Sequence, residues 1–217
     1  MQITIAGAHG QIARILTTYL RSTGHHVRGL VRSEDQFADI ESDGGEPVLL
    51  DLEQSSSEEF DDALDGSDVV VFAAGAGPGS GPEHKHTLDR DGAIKTVESA
   101  VRVGADRFVI VSSMGADDPP DDDETFSVYL RAKAAADEAV RAADIDAVIV
   151  RPGKLTDGPA TGAVEMGTSV GRGEITRADV AAVLTEIIDT GHGDGCTFEV
   201  IGGTTPIEDA VAAITAR

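Results

Sequence analysis

The 217-residue chain has one cysteine, no tryptophan, two tyrosines and six phenylalanines. A lone thiol forms no intramolecular disulfide and no cysteine-based zinc cluster. Cys196, between Gly195 and Thr197, reads as a buried, inert thiol near the last strand. No apolar run approaches the ~18 residues that a membrane span needs. Basic side chains are also scarce. Lys and Arg number 17, only four of them lysine, against 39 Asp and Glu, and the formal net charge is -22. No global field attracts nucleic acid or an anionic membrane, so neither is an expected partner. The first residues lack a basic stretch and pass straight into a strand pattern, so the expected location is cytoplasmic. Asp outnumbers Glu 24 to 15. Two accounts of the acidity stay open: a salt-rich cytoplasm that screens self-repulsion, and a coding bias towards Arg and Asp.

What is present is a core. Hydrophobic residues make up 41% of the chain, and the length suits one domain spanning 1–217. Short apolar runs at 3–6, 27–31, 47–50, 68–73, 107–111, 147–150 and 197–201 read as strands. Between them, helical spacing predicts helices over 12–20, 60–64, 89–103, 126–143, 177–189 and 206–214, with a weak one at 35–40. Gly24 is the expected stop of the first helix and Thr176 the expected cap of the sixth. Residues 152–175, rich in Gly and Thr, form a substrate-side loop region and a small C-terminal extension. Loops 76–82 and 116–124 are the mobile candidates; the second carries five Asp and two Pro. The alternation predicts an α/β fold, a doubly wound parallel sheet with helices on both faces. Its ligand site belongs at the carboxyl ends of the strands.

The first strand runs into Gly7-Ala8-His9-Gly10-Gln11-Ile12-Ala13. Gly7 allows a tight turn, Gly10 lets backbone amides approach a pyrophosphate at the helix start, and Ala13 lets the helix lie close to the sheet. His9, Gln11 and Ile12 complete this dinucleotide-binding turn. The second strand ends in Arg32-Ser33 rather than a carboxylate. A guanidinium and a hydroxyl suit a 2′-phosphate, so NADP is expected over NAD. Arg14 is a further candidate, or an ordinary surface arginine. Asp51 and Leu52 are placed to flank an adenine, and Ala73, Ala74 and Gly75 let a cofactor lie against backbone.

Ser112 and Ser113 end the fifth strand. Tyr129 and Lys133 follow, four apart and therefore on one helix face. An ammonium near a phenol favours the phenolate, which suits Tyr129 to proton exchange with a carbonyl/alcohol pair. Ser113 is placed to hold the same oxygen. His84 and His86 are two apart, but no third ligand accompanies them and no metal site is expected.

These residues resemble the short-chain dehydrogenase/reductase superfamily, and within it the small atypical NAD(P)-binding, epimerase- or dehydratase-like proteins of Rossmann fold. The resemblance also rests on residues 150–157, Val-Arg-Pro-Gly-Lys-Leu-Thr-Asp, and on residues 175–181. It implies that Arg151 and the turn at Pro152, Gly153 and Leu155 lie by the nicotinamide and its ribose, and that Lys133 binds that ribose. It places Asp91 where extended members carry an asparagine, to order the site or hold Lys133, and it leaves the catalytic hydroxyl position to Ser113 or Met114. Three functions follow: an NADP-dependent oxidoreductase of a small carbonyl or alcohol, a non-catalytic NADP-binding sensor or partner-binding module, and an epimerase or dehydratase with retained cofactor. The alanine-rich helix over 126–143 offers flat faces for a homodimer or for packing within the monomer.

Overall fold

Strand β1 (Gln2–Ala6) is buried along Ile3 to Ala6 because neighbours flank both its edges. The computed structural model describes residues 1–77 and 79–214; Pro78, within one of the expected mobile loops, lies outside them. After β1 come α1 (Gln11–Ser22), β2 (His26–Val31), a 3-10 turn (Glu34–Gln36) with α2 (Phe37–Ser42), β3 (Glu46–Leu49), α3 (Ser57–Leu64) and β4 (Val69–Phe72). Next are α4 (Pro82–His84), a π-helical stretch (Lys85–Gly92), α5 (Ala93–Arg102), β5 (Arg107–Val111), α6 (Thr125–Ala142) and β6 (Asp146–Pro152). The last part holds β7 (Lys154–Thr156), β8 (Ala163–Gly167), β9 (Glu174–Thr176), α7 (Arg177–Thr190), β10 (Thr197–Gly202), β11 (Thr205–Pro206) and α8 (Ile207–Ala212).

The main sheet has the order β11-β8-β10-β6-β5-β4-β1-β2-β3. It is parallel from β3 to β10, as the continuous apolar runs predict. The far edge departs from that expectation: β8 runs antiparallel to β10, and β11 antiparallel to β8. Strand order reverses between β1 and β4, which opens a crevice at their carboxyl ends. On one face α1 packs against α7, and Ile12, Leu16 and Leu20 share a core with Val180, Leu184 and Ile187. On the other, Phe60 of α3, Val97 of α5 and Val140 of α6 pack over Val70, Phe72 and Phe108.

Element ends follow local chemistry. Gly24, at φ +91°, turns the chain out of α1. Thr176 caps α7 by accepting from the Asp179 amide at 2.9 Å. α3 starts earlier than its apolar residues suggest, because a reciprocal Ser56–Glu59 capping box builds a polar first turn. The helix expected over 89–103 begins at Pro82 instead. After α4 it is π-helical over Lys85–Gly92 and buries Lys85 and Asp89, so no apolar period marks it. Residues 152–175 are also more ordered than a loop, since β7 pairs with β9 and β8 joins the main sheet. Among the described residues, no helix is long and apolar enough to cross a membrane.

Candidate functional site

A cleft of about 540 Å³ opens beyond the carboxyl ends of β1, β2 and β4. It is lined by Gly7, His9, Gly10, Arg32, Asp51, Leu52, Ala73, Ala74 and Gly75, all marked in the sequence, and also by Gln36, Glu53 and Gly77. Gly7 has φ +79°, and a Cβ there would lie 2.6 Å from Ala74 Cα, so turn and neighbouring strand both demand glycine. Gly10 is the N-cap of α1, and its amide bonds Gly7 O at 2.9 Å. No side chain caps α1, and no acid occupies its first turn. The amides that open the helix, from Gln11 and Ile12 onwards, therefore face the cleft end without an internal anion.

Arg32 is exposed at the cleft, and among the described residues it makes no ion pair. Ser33 follows as N-cap of the 3-10 turn, off the cleft lining. Arg14 is not a helper: it is tied to Asp43 at 2.6 Å and Asp39 at 3.2 Å. His9 bonds the same Asp39 at 2.8 Å. Asp51 accepts the Glu53 amide at 2.9 Å, which shapes the turn under Leu52.

The second half of the site lies behind the Ala74–Gly77 wall. Lys133 Nζ is 2% exposed, 3.3 Å from Asp89 Oδ1, 3.1 Å from Val111 O and 3.4 Å from Ala74 O. Burial opposes its charge, but Tyr129, Asp89 and Asp137 outweigh that and raise its pKa above the ordinary lysine value. Asp89, fully buried, also accepts the Ala76 amide at 3.2 Å through Oδ2. One turn earlier, Lys85 donates to Gly77 O at 2.9 Å. The Tyr129 ring lies below both ammonium groups, 5.4 Å from Lys85 and 5.8 Å from Lys133.

The two serines part company. Ser112 is buried and donates to Asp137 Oδ2 at 2.9 Å. Ser113 is half-buried, with its hydroxyl donating to Met114 O at 3.2 Å, and is the serine left for a ligand.

Residues 7–191 match the family described as NAD(P)H-binding. The chain belongs to this family. The NAD(P)H-binding chain is 35% identical to the uncharacterized sugar epimerase YhfK of Bacillus subtilis, a match covering 97% of this chain and 99% of that one. Among solved structures it is similar to a provisionally named NAD-dependent epimerase/dehydratase from Bacillus halodurans, with 38% identity, a TM-score of 0.92, and 99% and 100% of the two chains covered. It is also similar to the oxidoreductase ylbE of Lactococcus lactis, with 25% identity, a TM-score of 0.85, and 98% and 96% covered. It is thus an NAD(P)H-binding Rossmann-like protein of an oxidoreductase- and epimerase-like family. The glycine cradle at Gly7 and the uncapped start of α1 fit the pyrophosphate of such a cofactor.

Three expectations about this NAD(P)H-binding site need correction. Asp91 does not hold Lys133; it pairs with its neighbour Arg90 at 2.6 Å, and Asp89 holds the lysine instead. The Arg151 side chain does not face the cleft. It is 2% exposed, donates to Asp137 Oδ2 at 2.7 Å, and pairs with Asp117. Burial pushes the Asp137 carboxyl up, against the pull of Arg151 and Ser112. Third, loop 116–124, expected to be mobile, is tied to the body of the protein: besides the Asp117 pair, Arg131 donates to Pro120 O at 2.5 Å and Asp122 O at 2.7 Å. Pro152, Gly153 and Leu155 lie at the β6–β7 junction, outside the cleft lining. Gly153 is required by packing, since a Cβ there would meet Gly173 O at 2.5 Å.

Lys85 and Asp89 are the site residues that sequence patterning missed. The usable signal was a lysine and an aspartate four apart in a chain with four lysines, within a segment lacking apolar period. The remaining candidates have structural partners. His84 pairs with Glu53 at 3.1 Å, and His86 Nδ1 lies 3.5 Å from the Arg90 guanidinium. Cys196 is half-buried, and burial pushes its thiol up.

Proposed function

We propose that the chain is an NADP-dependent oxidoreductase interconverting a small carbonyl compound and its alcohol. The observation that carries this reading is the buried Lys133 ammonium, 5.8 Å from the Tyr129 ring and bonded to Ala74 O on the cleft wall. It ties a proton-exchanging phenol to the place where a nicotinamide would lie. The cofactor, when bound, supplies hydride chemistry. Tyr129 gives or takes the proton at the substrate oxygen, and Ser113 orients that oxygen. Lys133 acts on Tyr129 through its charge and fixes the wall at Ala74. Its hydrogen bonds go to Ala74 O and Val111 O, with Asp89 Oδ1 at 3.3 Å as its ion-pair partner. Arg32, exposed and free of acidic partners among the described residues, supports NADP over NAD at the 2′-phosphate.

The test is Tyr129→Phe, assayed for NADPH binding and for turnover with a panel of aldehydes, ketones and quinones. Binding should persist while turnover falls roughly 10²–10⁴-fold. Equal turnover would remove Tyr129 from the mechanism. Similarity to the uncharacterized sugar epimerase of Bacillus subtilis favours a second reading, an epimerase with retained cofactor. That reading predicts copurifying nucleotide and no net NADPH consumption.

A further inference from the structure

Aromatic side chains are scarce here, with six phenylalanines and two tyrosines in the whole chain. Phe60, Phe72, Phe108 and Phe198 are buried, and Phe37 packs against the core. Phe126 is the exception at 62% exposed. It forgoes the burial that the others gain, one turn before Tyr129 on α6. Its ring stacks on Tyr129, with centroids 5.9 Å apart and 28° between planes. Tyr129 is in turn bound to the cleft wall through its two ammonium neighbours, since Lys133 bonds Ala74 O and Lys85 bonds Gly77 O. The two rings therefore form one aromatic shelf that runs from the cleft wall outwards to solvent.

The lip beside this shelf is acidic. Asp117, Asp118, Asp121, Asp122, Asp123 and Glu124 are all exposed in the segment that leads into α6. Arg151 offsets Asp117 and the Arg131 charge acts on Asp122, but Asp118, Asp121, Asp123 and Glu124 make no ion pair among the described residues. Such a lip repels an anionic substrate and leaves an uncharged one unaffected.

We propose that Phe126 and Tyr129 form the substrate shelf, and that the substrate is an uncharged carbonyl compound conjugated to a flat aromatic ring. Phe126 is then a specificity-determining residue. Stacking on Phe126 aligns the aromatic plane, which brings the carbonyl oxygen to the Tyr129 hydroxyl. This deepens the oxidoreductase reading and rests on it for the carbonyl, whereas the shelf rests on the aromatic geometry alone.

The experiment is ligand titration by NMR of protein carrying ring-¹³C tyrosine. Only Tyr19 and Tyr129 give signals, and Tyr19, on α1, is the internal control. The probes are 9,10-phenanthrenequinone (uncharged, aromatic), 2,3-butanedione (the same vicinal dicarbonyl without the rings) and anthraquinone-2,6-disulfonate (aromatic, dianionic). The uncharged quinone should shift the Tyr129 signal, leave Tyr19 in place and bind more tightly than the other two. Phe126→Ala should lower the ratio of quinone to butanedione affinity about tenfold, and Phe126→Trp should restore it. An unmoved Tyr129 signal, an unchanged ratio in Phe126→Ala, or a disulfonate that binds as tightly as the uncharged quinone would each overturn the proposal. So would a dimer that Phe126→Ala converts to monomer in sedimentation, because a second copy would then be what covers the ring. None of these readouts needs turnover, so the shelf and the Tyr129 proton transfer can fail separately.

Discussion

Asp89 Oδ1 and Lys133 Nζ meet at 3.3 Å between the π-helical stretch and α6, where the two side chains are 0% and 2% exposed. Around them lie Ala74 O, the Ala76 amide and the Tyr129 ring. One buried pair thus fixes both the wall of the cofactor cleft and the setting of the proposed proton donor.

Removing one charge of that pair strands the other. Asp89→Asn should destabilise the fold by about 3–5 kcal/mol, as loss of one partner of a buried ion pair does. Asp91→Asn, on the exposed pair with Arg90, should stay within about 1 kcal/mol. Chemical denaturation of both variants checks this. Lys133 has a raised pKa, so its contribution is complete below the ordinary lysine range and fades only as pH rises through the folded value. The gap between wild type and Asp89→Asn should therefore be level across neutral pH.

Gly7 is constrained twice, by φ +79° and by Ala74 at 2.6 Å. Gly7→Ala should cost about 1–3 kcal/mol from the left-handed backbone alone. The displaced Ala74 wall should weaken NADPH and NADH alike. Melting curves and fluorescence titrations would show it; unaltered binding of both would remove the turn from the cofactor site.

Arg32 should separate the two cofactors. Arg32→Ala should weaken NADPH binding about tenfold or more, the scale of a lost hydrogen bond to a charged group, and leave NADH nearly unchanged. Equal effects in titrations with both cofactors would sink the 2′-phosphate assignment.

Asp117 gives a pH test of the loop. The Arg151 guanidinium, by hydrogen bond and by charge, holds the Asp117 carboxyl below the usual carboxylate range. A depressed folded value means that its stabilisation is present above about pH 4 and is lost as pH falls further. Asp117→Asn should melt below wild type at pH 7, and the two curves should converge on acidification. A gap that widens at low pH would contradict the pairing.

Much of this site was readable along the chain because its signals are local. The turn at Gly7 and Gly10 follows from backbone chemistry within seven residues, and the cleft lining at Ala73, Ala74 and Gly75 follows from where an apolar strand ends. Tyr129 and Lys133 share a helix face by their spacing alone. The family resemblance points to Asp91, whereas the π-helical stretch turns Asp89 inwards onto Lys133 and leaves Asp91 to Arg90. Arg151 was given to the cofactor by resemblance, whereas the structure commits it to Asp137, fourteen positions back, and to Asp117.

The sequence by itself determined the parallel α/β sheet, the glycine turn, the NAD(P)H-binding class and the charge of -22. Strand hydrophobicity, φ freedom and net charge are properties of short segments or of sums. Only the tertiary structure decided which charges are buried together, Asp89 with Lys133 and Asp137 with Arg151, and that Lys85 lies over the Tyr129 ring. A charged side chain enters the interior only where a partner from another element meets it, and which partner arrives depends on how the helices pack over the sheet.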